Sequence, residues 1–386
     1  MHEMQDMMPI SPRELAMNQA TIRRRLHALR ERRNVSQADL SQALGFNDRQ
    51  TLSDIELGKR NVAPAELVRA AEFFDVDTGY FTDPFELAGE ARFSWRKTGE
   101  GADDLESFEN RAGRWIAAYR HLSRLKGESV NSSLTQVDLT PRSSYEEASA
   151  EGDAVSRALE LGDVPAITLA SVLEDKLDTL ILNVDTVAGV SGAACQLGPL
   201  NTIIINRREA EGRRSFDMGH ELFHLTTWLQ MPPCHIEENG ALPPRYKRIE
   251  QLADNFSSAL LMPRHAIASL VQKLPIPADE AELIAWLKQG ALHFHVSGQA
   301  VKWRLVSLGL LKGAAAERIS DAALRIDSPE DTPIPTRYSR RFMQTLGWGI
   351  EEGHISVRRA ASIIGTTVDE LSEIFSEHGL KTPFDL

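Results

Sequence analysis

In the stretch RRSFDMGHELFHL, Arg213 to Leu225, two histidines stand four residues apart, His220 and His224, with Glu221 directly after the first. On an α-helix that spacing puts both imidazoles on one face, one turn apart, where they can reach a single ion. Glu221 is turned about 100° from His220 and can lie beside the ion without ligating it. Two neutral nitrogen ligands and an adjacent carboxylate are the parts of a zinc hydrolase. The nitrogens hold the metal, and the carboxylate takes a proton from the attacking water. Such a site needs a third protein ligand, a histidine or a carboxylate.

Downstream, KRIEQLADNFSSALLMP offers Glu250 on a segment that reads as a helix, with Leu252, Ala253, Phe256, Ala259 and Leu260 as its packed residues and Pro263 marking its end. Asp254 follows one turn later on the same face, where it can accept a hydrogen bond from a ligand histidine's other nitrogen and fix its tautomer. His235, Glu237 and Glu238 in the loop CHIEEN are rival third ligands, ranked below Glu250 because a loop holds a ligand less firmly than a packed helix. Tyr246 and His235 both stand open as donors to a reaction oxyanion, and no residue pattern selects between them.

The elements that must position these groups are readable in part. Ser215 is expected to cap the first helix, with Asp217 near its positive end. From Asp103 to Lys126, Leu105, Phe108, Ala112, Trp115, Tyr119 and Leu122 recur at three–four spacing, a seam for packing within the chain or across a homodimer. KGESVNSSLTQVDLTPRSS, Lys126 to Ser144, is polar and reads as a linker, after which Ser144 and Glu147 form a capping-box pattern.

Near the N-terminus, Ile22, Leu26 and Leu29 recur at helical spacing among arginines. Ser36 suits the cap of a short helix through Leu44, Gly45 a turn, and Arg49 to Leu57 a second helix stopped by Gly58; a further helix spans Ala65 to Phe74. Short helices joined by a Gly turn are the helix-turn-helix arrangement, whose second helix shows its first side chains to base edges in the major groove. Arg49, Gln50 and Ser53 are the candidates for base contact, and Gln37, Lys59 and Arg60 for phosphate contact. SQADLSQALG followed by LSDIELGKR resembles the phage-repressor (Cro/C1-type, or Xre) helix-turn-helix family, with one more residue between Gly45 and Glu56 than its usual pattern. Double-stranded DNA is the partner this implies, and paired half-sites favour a dimer.

RRSFDMGHELFHL, then EQLADNFSSALLMP, then VSGQAVKWRLVSLGLL (Val296 to Leu311) resembles the ImmA/IrrE family of zinc metallopeptidases in residues and order, from about Tyr145 to Leu311. The resemblance implies that His220, His224 and Glu250 hold Zn2+ and that Glu221 is the catalytic carboxylate. It also implies that TLILNVD and NTIIINR form a small sheet beside the site. A substrate such as a repressor or an antitoxin-like protein is implied as well.

RIDSPEDTPIPT, Arg325 to Thr336, sets off a C-terminal piece that again reads helix, Gly365, helix. Asp369, Glu370, Glu373 and Glu377 on its second helix would repel phosphates, so it is expected to be structural or protein-binding. The 386 residues carry a net charge of −12, yet Ala20 to Val62 holds nine Lys/Arg against five Asp/Glu. A small basic module on an acidic body suits local DNA contact rather than wrapping. Two cysteines, no apolar run near membrane-span length and an N-terminus unlike a signal peptide point to a cytoplasmic protein without membrane association.

The expected fold is α+β and predominantly helical. Its parts are a helix-turn-helix domain over 15–85, a helical connector and linker over 86–144, a zincin-like domain with a small sheet over 145–315 and a helical module over 335–386. The expected function is a DNA-binding regulatory peptidase that cleaves a specific partner; the alternative is a transcription regulator whose peptidase-like domain senses without cutting.

Overall fold

The computed structural model describes residues 12–87, 90–97, 104–128, 133–238, 242–326 and 334–385. The chain is α+β and mostly helical. Helices α1 (Pro12–Arg32), α2 (Gln37–Ala43), α3 (Arg49–Glu56), α4 (Pro64–Phe74) and α5 (Gly79–Thr82) form the N-terminal unit. Local chemistry sets their ends. The Ser36 side chain accepts the Asp39 amide hydrogen and starts α2, Asp48 does the same for α3 through Thr51, and Gly45 and Gly58 take the left-handed conformation that turns the chain after each. Leu26, Leu29, Leu40, Leu44, Leu52, Ile55 and Phe81 close the core between them.

This unit is fastened to the rest of the molecule by a buried arginine. Arg25 of α1 donates to the carbonyls of Tyr80 and Asp83, each at 2.9 Å, to that of Glu86, and to the Glu90 carboxylate at 3.1 Å. Glu90 also accepts from Arg120 at 2.8 Å. Burial pushes the Glu90 carboxyl up, but the Arg120 and Arg25 guanidinium groups together hold it below its usual range.

A five-stranded sheet lies at the centre, in the order β2-β4-β3-β1-β5. It is built from β1 (Arg92–Lys97), β2 (Leu180–Val184), β3 (Val190–Leu197), β4 (Leu200–Asn206) and β5 (Ile236–Glu238). β2 runs parallel to β4, β3 antiparallel to β4 and to β1, and β5 parallel to β1. The segment 86–144, expected as helical connector and linker, therefore contributes a strand to this sheet. It also contributes α6 (Leu105–Leu125), and Val137, in the stretch read as a linker, donates its amide hydrogen to the Thr226 carbonyl at 3.0 Å.

Both faces of the sheet are covered, and β2 (LILNV) and β4 (LNTIIIN) accordingly carry consecutive apolar residues. Side chains alternate between two cores: Leu180, Leu182 and Ile204 enter one, Ile181, Ile203 and Ile205 the other. The first core is closed by α6 and by the C-terminal helices α15 (Arg340–Glu351), α16 (Val357–Ile364) and α17 (Val368–Glu377). The seam of α6 is spent there, inside the chain. Trp115 donates from its indole to the Ile363 carbonyl at 3.0 Å, and the C-terminal module is a wall of the sheet. The second core takes α7 (Tyr145–Ala158), capped by Ser144 and Glu147, with α8 (Pro165–Leu177), α9 (Glu211–Thr227), α10 (Pro244–Leu261), α11 (Arg264–Lys273), α12 (Glu280–Phe294) and α13 (Gly298–Ser307); α14 (Gly313–Arg318) follows α13. Residues 327–333 of the expected C-terminal linker lie outside the described residues.

Candidate metal centre and nucleic-acid interface

HELFH lies on α9, which begins four residues before the expected cap. Its N-cap is Ala210, with no side-chain cap, and Ser215 falls inside the helix. Asp217 does not act as a dipole partner at an exposed end either. It is wholly buried, with one oxygen 3.2 Å from Arg96 Nη1 and the other 3.0 Å from Arg213 Nε.

Helices α9 and α10 meet closely at Gly219, where an added Cβ would stand 2.6 Å from the Ser257 hydroxyl. A side chain at 219 would push the helices apart. That approach brings His220 against Glu250 and Asp254. His220 Nε2 is 2.9 Å from Glu250 Oε2 and 3.1 Å from His224 Nε2, and the latter is 3.6 Å from the same Glu250 oxygen. Three donor atoms from three side chains thus face one point. Four ligands set tetrahedrally around zinc at ~2.0–2.2 Å stand roughly 3.3–3.6 Å apart, so this donor set fits such an ion with small adjustments. His220 Nδ1 turns the other way, to Asp254 Oδ1 at 3.0 Å, so the carboxylate fixes which nitrogen faces the centre. Burial raises the Asp254 carboxyl, but the His220 ring, followed by Arg96 and Arg213, brings it below its ordinary range.

Glu221 is fully buried beside the histidines, facing strand β3: a Cβ built on Gly192 would lie 3.7 Å from Glu221 Oε1. Of the rival ligands, His235 stands apart, 2.6 Å from Glu109, while Glu237 and Glu238 lie on β5 with side chains outside the described residues. Tyr246 is in the first turn of α10, packed against the second core.

Sequence reasoning missed Arg96. It lies on β1, far in sequence from the other residues of the centre, and its guanidinium reaches Asp217 at 3.2 Å and Asp254 at 3.4 Å. Only the period-two alternation of RFSWRK, with Phe93 and Trp95 buried in the opposite core, could have signalled that Arg96 faces the centre.

In the N-terminal unit, Arg49 and Gln50 are exposed at the start of α3 with Ser53 one turn on, and Gln50 donates to Asp54 at 3.0 Å. Lys59 is exposed, 3.8 Å from Asp54. Gln37 and Arg60 are engaged within the chain: Gln37 donates to Glu56 at 2.6 Å, and Arg60 makes two bonds to Glu66, at 2.6 and 3.0 Å, while lying over the Phe46 ring.

Residues 180–306 match the IrrE N-terminal-like domain family, and residues 26–81 match the helix-turn-helix family. The chain carries a helix-turn-helix domain of Xre type fused to an ImmA/IrrE-type domain. The second domain has a metallopeptidase-like fold, and a DNA-binding regulator with a peptidase-like domain is the function these matches suggest. No curated protein and no solved structure matches the chain. Among the described residues no helix is long and apolar enough to cross a membrane. The matched IrrE-like stretch holds β2 to β4, α9 and α10; strand β1 and helix α6 lie outside both matches.

Proposed function

We propose that the chain is a DNA-binding regulatory zinc metallopeptidase that cuts a specific partner protein, a repressor or antitoxin-like regulator, in the cytoplasm. The observation that carries this reading is the convergence of His220, His224 and Glu250 on one point, with Glu221 beside them. His220, His224 and Glu250 would hold Zn2+. Bound there, the ion supplies a Lewis acid that polarises a peptide carbonyl and acidifies water. Glu221 takes the proton from the attacking water and returns it to the departing amine. Asp254 keeps His220 in the tautomer that presents Nε2 inward. Arg49, Gln50 and Ser53 would read bases, with Lys59 on phosphate. Gln37 and Arg60 would join it only by exchanging Glu56 and Glu66 for DNA. A homodimer would set two such units on paired half-sites.

One observation favours a second reading, a regulator that senses without cutting: Glu221, His220 and His224 are shut away from solvent. Mapping new protein N-termini in native-host cells, wild type against Glu221→Gln, separates the two. New ends made only by wild type support the peptidase and name its substrate. Identical ends under DNA damage and other stresses, with zinc bound in the purified protein, support the sensor.

A further inference from the structure

A peptide presented to this centre has to lie extended across it, and extended peptides bind by adding to a strand edge. The strand beside Glu221 is β3, at Gly192. That edge is already taken. β1 pairs antiparallel with β3 along its whole length, and the residue directly opposite Gly192 is Arg96. Opposed residues send their side chains to the same face of a sheet. Arg96 therefore crosses on the Glu221 side, and its guanidinium lies between Asp217 and Asp254, 3.2 and 3.4 Å away. The carboxylate of Asp217 is fully buried, and Asp254 belongs to the His220 side of the centre. An acidic seat one step from the metal ligands is thus filled by a basic side chain on a strand from outside the matched domain. The pairing loses register between Arg96 and Lys97, immediately past the centre.

We propose that the β3 edge, with Asp217 and Asp254, is a peptide-binding lane for an extended segment with arginine or lysine opposite Gly192, and that β1 is its resident occupant. This rests on the peptidase reading of the site and adds to it a substrate class and a closed state. β1 is also held by Phe93 and Trp95 in the first core and by its pairing with β5, so removing the Arg96 anchor weakens one of several contacts and lets a peptide in trans compete for the lane.

The probe is the synthetic peptide ARFSWRKT, residues 91–98, labelled with fluorescein, and a copy with Gln in place of Arg96. Binding to the zinc-loaded full-length protein is read by anisotropy, whether or not the peptide is cut. Arg96→Gln protein is expected to bind the arginine peptide at least tenfold more tightly than wild type, and to bind the glutamine peptide at least tenfold more weakly than the arginine one. Phe93 lies directly opposite Cys195, so Phe93→Cys added to the Arg96→Gln protein allows a reducible lock between β1 and β3 where the lane is otherwise open. The oxidised lock is expected to abolish binding and reduction to restore it. Equal binding of both peptides, equal binding to oxidised and reduced forms, or no binding to the Arg96→Gln protein overturns the proposal. Failure of the peptidase reading would look different: peptide bound, and never cut.

Discussion

Asp254→Ala tests whether the metal centre is held as the geometry indicates. Asp254 stands outside the group of converging ligand atoms. Its oxygen lies 3.0 Å from His220 Nδ1 and 3.4 Å from Arg96 Nη2, so it reaches the centre through the imidazole of His220 while also holding Arg96. Losing an outer partner of a ligand histidine typically weakens metal binding ~10–100-fold, or about 1.4–2.7 kcal/mol. Asp254→Asn keeps an acceptor for the ring and loses the charge, so it should fall near the tenfold end. Glu250→Ala, which removes a donor atom itself, should weaken binding more than either. Zinc affinity of the purified full-length protein, by competition with a chelating indicator near neutral pH, reads all three. The Asp254 side chain is 47% exposed, so the metal-free variant should unfold close to the wild-type temperature. That separates a lost ligand orientation from a damaged fold. Asp254→Ala binding zinc within threefold of wild type, while Glu250→Ala binds poorly, would refute the role assigned to the His220–Asp254 contact.

Arg49→Ala combined with Gln50→Ala should remove sequence preference in a gel-shift assay while leaving zinc content intact, each lost base contact costing about 1–3 kcal/mol of discrimination; undiminished specific binding would refute the placement of α3 in the groove. Burial pushes the Glu174 carboxyl on α8 up to about 6, from an ordinary 4.5. The folded protein then binds the proton more tightly than the unfolded chain, so this stabilisation is complete below the unfolded value and is lost as pH rises through about 6. A shift of that size is worth about 2 kcal/mol. Glu174→Gln should therefore raise stability above pH 6 relative to wild type and change it little at pH 4. An equal effect in denaturant unfolding at both pH values would rule this out.

The convergence of the candidate ligands is legible because its information is local. His220 and His224, like Glu250 and Asp254, are pairs one helical turn apart, so spacing alone places each pair on a face. The caps at Ser36 and Ser144 are legible for the same reason, a side chain and an amide three residues on. What escaped was non-local. β1 is six residues long and is defined by partners about a hundred residues later, from Gln196 at one end to Val190 at the other. Composition around it, polar and charged, reads as connector. Ser215 is a good capping residue by type, but α9 begins at Glu211 without any side-chain cap, so residue type alone does not locate that helix start. The packing of α17 on the sheet is not legible in its charge pattern, because it depends on apolar residues such as Leu371, Ile374 and Phe375 meeting the first core.

β1 is also where the two matched domains are joined physically. Glu90, just before the strand, is gripped by Arg25 of the helix-turn-helix unit and by Arg120 of α6. Arg96, near its end, is gripped by Asp217 and Asp254 at the metal centre. Six residues of strand span about 20 Å, so one rigid element carries an ion-pair anchor at each end. Coupling between distant sites needs an element with two arrangements whose balance both sites bias. If β1 leaves its lane, the chain between Glu90 and Arg96 must move with it, and the Arg25 contact is strained. DNA that holds α1 and α5 in their present relation would then keep the lane closed. By reciprocity of binding free energies, a peptide that opens the lane would weaken DNA binding by the same factor. In that arrangement a peptide at the candidate metal site and an operator on α3 would compete through one strand, although they never meet.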